Sequence, residues 1–202
     1  MYKALADAIR DAENAKMSLA EVALAAESRD QGRPIKDIRA ALKRALDVMR
    51  GAIEKGLTGD LYSASGLVGG DAAKLRQNPN GPLAQTPFRD ILTRALAVQE
   101  VNAAMGVIVA APTAGGAGVL PAILTGLAKA GSISDEKIVD GLATAGLIGA
   151  VVAERASLSG AEGGCQAETG AAAGMAATNM GNCADCVTEA NTTGRGTIAT
   201  GD

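Results

Sequence analysis

From Val101 to Ala128 the chain runs for 28 residues without a charged side chain. A stretch of that kind belongs in a membrane or inside a protein, because about 20 apolar residues suffice to span a bilayer. Pro112, Pro121 and the glycines at 115, 116 and 118 interrupt it, and prolines and clustered glycines break a continuous helix. The interior of a folded domain is therefore the reading taken here. A second apolar run, Gly141 to Ala153, is too short to span and fits a buried core helix.

What fills that interior follows from composition. Aromatic residues make up 1% of the chain (Tyr2, Tyr62 and Phe88, with no Trp), whereas hydrophobic residues reach 48% and glycines number 26. The core must be aliphatic, and its backbones can approach closely. β-Branched residues are few and alternation is absent, so strands are not indicated. The fold class expected is all-α: a compact multi-helix domain with central, small-residue-rich apolar helices and Gly-rich connecting loops.

Periodicity places the elements. Leu5, Ile9, Ala12, Leu19, Val22 and Ala26 form one apolar stripe ending near Ser28. Pro34 suits the start of a second helix, with Ile35, Ile38, Leu42, Leu46, Met49 and Ile53 as its stripe and Gly56 at its end. These two predict an antiparallel hairpin over 1–56. Lys36, Asp37, Arg39, Lys43 and Arg44 read as its solvated face. A Gly-rich loop follows, and Thr86-Pro87 predicts a helix running to about Met105. Further helices are expected from about Leu120 to Ala130, stopped at Gly131, and from a Ser134 cap through the second apolar run. The helical domain covers 1–177, and a polar Gly/Thr/Asn-rich tail occupies 178–202.

Chemistry is constrained first by what is missing. There is no histidine, so the common general base, the common zinc ligand and every Ser-His or Cys-His pair are excluded within this chain. A net charge of −3 leaves no basic footprint for nucleic acid. The N-terminus is charged and amphipathic, without the apolar segment of a signal peptide, so a cytoplasmic protein with reduced thiols is expected. Those thiols are Cys165, Cys183 and Cys186. Zinc wants four Cys or His ligands, whereas three thiolates suit an iron–sulfur cluster with one iron left open; three unrelated thiols are the default. APTAGGAG is either a tight turn between helices or a site for an anion or carboxylate. Asp71 and Lys74 share a helix face, as a surface ion pair or with Lys74 turned to a substrate carboxylate.

Three segments carry more than composition does. GLVGGDAAKL, EVNAAMGVIVAAPTAGGAGVLPAIL and SLSGAEGGCQAETGAAAGMAA resemble, in that order, the α chain of the iron–sulfur-dependent L-serine dehydratases. NMGNCADC resembles a shortened form of the second cysteine segment of that family. The resemblance implies a [4Fe–4S] cluster, with Cys165, Cys183 and Cys186 as ligands, and conversion of L-serine to pyruvate and ammonia. It further implies a β subunit that supplies a histidine, and an oligomeric assembly. Lys74, Asn102 and Thr113 are the candidates for holding substrate, with Lys74 also the candidate for proton transfer. Glu162 and Glu168 are expected to orient the Cys165 loop. Alternatives are a related lyase acting on another β-substituted amino acid such as cysteine, or a non-catalytic helical partner protein.

Overall fold

The computed structural model describes residues 2–78, 80, 87–158 and 160–180, with backbone alone at 87 and 178–180. Among these residues there are eight helices and no strand, as the all-α reading requires. They are α1 (Leu5–Ala15), α2 (Leu19–Gln31), α3 (Ile35–Gly56), α4 (Asp71–Gln77), α5 (Pro87–Ala103), α6 (Val119–Gly131), α7 (Asp135–Arg155) and α8 (Gly160–Met180). None is long and apolar enough to cross a membrane. Thr86 and the tail from 181 onward lie outside the described residues.

The first apolar stripe is two helices, not one. Lys16 adopts a left-handed conformation that ends α1. Ser18 and Glu21 then form a reciprocal cap that starts α2, which satisfies two backbone donors at a new helix start. The stripe hides the break because both helices bury their apolar faces in the same cluster, with Ala8, Ala12, Ala20, Val22 and Leu24 meeting Ile38 and Leu147. The S-x-x-E spacing was the local signal for it.

α7 is central, as its all-round apolarity predicts. It packs on α2, α3, α6 and α8. Ser134 caps it by accepting a hydrogen bond from the Lys137 amide. Leu46 and Met49 of α3, Leu120 and Leu124 of α6, Ile138 and Leu142 of α7, and Met175 of α8 make the main core. Each fully buried side chain of this size contributes about 1.5–3 kcal/mol. Two ion pairs tie α3 to α7: Arg39 to Asp140 at 2.7 Å, and Arg50, through both terminal nitrogens, to Asp135 at 2.6 and 2.9 Å. Arg39 is thus not simply part of a solvated face.

α5 forms the other half of the domain, against α3, α4 and α6. Its close approach to α3 depends on Gly56, where a Cβ would stand 2.1 Å from the Ala97 carbonyl oxygen. Gly56 therefore does more than end its helix. α6 is stopped by Ser132 in a left-handed conformation rather than by Gly131; Gly131 is its last helical residue.

Candidate functional site

The last turn of α5 gathers the Gly-rich segments. Glu100 is buried, 3% exposed, and its carboxylate accepts hydrogen bonds from the amides of Gly70 (3.1 Å), Asp71 (2.7 Å) and Ala72 (2.8 Å). A buried carboxylate is tolerable only when so satisfied. Here it holds the SGLVGG loop and the start of α4 against α5. At Gly69 the loop passes close to the Leu61 carbonyl, and a Cβ there would lie 2.1 Å from its oxygen.

On the same turn, Gln99 donates to the Gly115 carbonyl at 2.7 Å and Asn102 to the Ala114 carbonyl at 3.1 Å. These amides fix the loop that contains Thr113. The Thr113 hydroxyl is buried and has no hydrogen-bond partner among the described residues, an uncommon state for a buried polar atom.

α8 faces that loop from the other side. Gly164, with φ 75° and ψ 172°, interrupts the helix, a backbone state that suits glycine. Cys165 follows at once and is exposed. At about 100° per residue, Cys165, Glu168 and Ala172 lie within about 60° of one another on one face. Ala172 meets Gly116, whose Cβ would come within 2.9 Å of it. The half-buried Glu168 carboxylate lies in a slot between Gly115 and Gly160, with added Cβ atoms 2.5 and 2.8 Å from its Oε2. Cys165 lies one turn before Glu168 on this face and is exposed.

The structure therefore brings Asn102 and Thr113 together at one loop, with Cys165 exposed about two turns before Ala172 on the helix that packs against it. Lys74 is on the solvent side of α4. Its side chain is 73% exposed and its ammonium pairs with Asp71 at 3.1 Å; the hydrogen bond it donates to Asp71 raises the Lys74 pKa. This is the surface pair of the plainer sequence reading. Glu162 accepts a hydrogen bond from the Ser157 hydroxyl at 2.6 Å. Glu168 makes no hydrogen bond among the described residues and packs on glycines instead of orienting the Cys165 turn through its carboxylate. No cluster of three or more His, Cys, Asp or Glu able to hold a metal occurs among the described residues. Cys183 and Cys186 lie outside them. Sequence reasoning missed Glu100 and Gln99. The signal for Glu100 was its position as the last charge before the uncharged run.

A helical domain with a thiol on an opened turn beside a glycine loop defines a class, and comparison with known proteins gives the family. The serine dehydratase alpha chain family matches residues 14–193. The chain is 40% identical over 183 residues to a protein named probable L-serine dehydratase, alpha chain, of Bacillus subtilis strain 168, covering 88% of this chain and 59% of the relative. It is 38% identical over 145 residues to the L-serine dehydratase, alpha chain, of Peptoniphilus asaccharolyticus, covering 70% and 49%. With L-serine dehydratase 2 of Escherichia coli K12 the identity is 36%, over 69% of this chain and 32% of the relative. The chain belongs to the serine dehydratase alpha chain family, and it spans about half the length of the first two relatives.

Proposed function

We propose that this chain is the α subunit of a [4Fe–4S]-dependent L-serine ammonia-lyase, which forms pyruvate and ammonia in the reduced setting of the cytoplasm. The observation that carries this is the break at Gly164 immediately before an exposed Cys165, on the helix that packs against a loop whose buried Thr113 hydroxyl has no partner among the described residues. The donor chemistry fits: an exposed thiol after two glycines leaves room for a bulky inorganic group, and iron–sulfur clusters take thiolate ligands. Cys165, with Cys183 and Cys186, would hold the cluster. When bound, it supplies a Lewis-acidic iron that helps the β-hydroxyl depart.

The chain's own residues do the positioning. Gln99 and Asn102 hold the 113–115 loop still, and the unpartnered Thr113 hydroxyl is offered to a polar group of the substrate. Fixed orientation of this kind lowers barriers substantially. Lys74 could reach a substrate carboxylate only by leaving Asp71, a small loss for so exposed a pair. The α-proton needs an acceptor; this chain has no histidine, and the family resemblance implies that a β subunit supplies one. The enamine so formed tautomerises and hydrolyses to pyruvate and ammonia.

Anaerobic reconstitution with iron and sulfide tests the proposal. Wild type should turn brown, absorbing near ~400 nm, and with a β chain release keto acid from serine in preference to threonine or cysteine. Cys165→Ser should lose colour and activity while its unfolding free energy stays within about 0.5 kcal/mol, as for a surface change. A colourless wild type, or a Cys165→Ser variant that keeps its colour, refutes the proposal.

A further inference from the structure

At the opposite end of α5, roughly 20 Å along the helix from Asn102 at 1.5 Å per residue, a cavity of about 270 Å³ is lined by Leu57, Arg76, Arg89, Asp90, Thr93, Arg94 and Lys129. Four cations converge there against one carboxylate. Asp90 is engaged by Arg94 at 2.8 Å and by Lys129 at 3.6 Å. Although burial opposes its charge, these two cations hold its pKa below the ordinary value.

Part of this charge has a structural explanation. Arg89 donates through Nη2 to the carbonyls of Leu75, Arg76 and Asn78, closing the C-terminal end of α4. Lys129 lies in the last turn of α6. Each helix C-terminus carries about half a negative charge, so two such ends absorb about one of the three positive charges that Asp90 leaves over. About two remain. Arg94 contributes Nε to Asp90 and Nη1 to the Thr125 hydroxyl, leaving Nη2 without a hydrogen bond among the described residues. Arg76 is exposed and makes no ion pair among them.

We propose that this cavity is a binding site for a phosphate group, free or carried on a small metabolite. Phosphate bears close to two negative charges at neutral pH, and planar guanidinium groups recognise its oxygens. The site is separate from the Cys165 face and does not depend on the function proposed for it.

Calorimetric titration of the full chain with inorganic phosphate and with glycerol 3-phosphate, at low ionic strength and without reconstituted iron, tests this. Binding in the millimolar range or tighter is expected for at least one, with the phosphate ester the tighter if a carried phosphate is the ligand. Arg76→Gln combined with Lys129→Gln, both on exposed side chains, should weaken binding about tenfold or more with helicity unchanged. No heat with either probe in wild type, or equal affinity in the double variant, overturns the proposal. Arg94→Lys gives a separate check: it keeps the charge and loses the planar fork, and it should weaken phosphate more than chloride.

Discussion

α7 and α8 are both 21 residues long and pack against each other, yet they are built on opposite principles. α7 is capped, carries acids at its start and a base at its end, and buries Ile138, Val139, Leu142, Leu147, Ile148 and Val151. α8 buries Ala171, Ala172, Met175 and Ala176, contains a non-helical glycine and exposes its thiol. One helix holds the domain together by what its side chains fill. The other approaches its neighbours where they lack side chains: Met175 fits over Gly149 of α7, and Ala172 sits on Gly116. Stability and the candidate site are therefore carried by different helices in direct contact.

Leu142→Ala should break the first half of that contrast. Leu142 is 5% exposed within the main core, and truncation there should lower the unfolding free energy by about 2–5 kcal/mol, read as a lower urea midpoint. Protein that remains folded should take up iron normally. Ala172→Leu addresses the second half. Ala172 is fully buried, and the added bulk should cost about 1–3 kcal/mol and displace α8 from the 113–116 loop. Its loss of keto-acid formation should exceed what the unfolded fraction explains; a loss equal to that fraction would remove the distinction between the helices.

The smallest effect concerns pH. The Arg50 guanidinium beside Asp135 lowers the carboxyl's pKa in the folded protein. A depressed carboxylate stabilises the fold above its unfolded value of roughly 4, and that contribution disappears as pH falls through the folded value. The pair is partly solvated, with side chains 36% and 41% exposed, so about 1 kcal/mol or less is at stake. Asp135→Asn should lie below wild type in denaturant unfolding at pH 7, and the two should converge once the pH has fallen through the folded value of the Asp135 carboxyl. A gap that persists there would assign the effect to helix capping and not to charge.

Legibility in the sequence follows the same division. α7 was readable because burial on all sides writes itself as an unbroken apolar run and a cap as Ser-Asp-Glu. The α1–α2 break was hidden, since two helices facing one cluster continue a single stripe. The cysteine on α8 became meaningful through resemblance, for one thiol among small residues has no period. Gly56 was readable as a helix end, but which glycines allow close approach was not: Gly56, Gly115 and Gly160 owe that role to what stands opposite them, and that is a property of the fold. Glu100 was passed over because a lone carboxylate at a helix end ordinarily faces water.

That carboxylate has a further consequence. Glu100 secures the 70–72 backbone, while Gln99 and Asn102, on the same turn of α5, secure 114 and 115. Two loops far apart in sequence share one anchorage. Fraying of the end of α5 would release both together, so they belong to a single unit of local unfolding, with its protection against hydrogen exchange set by the helix that neither loop contains.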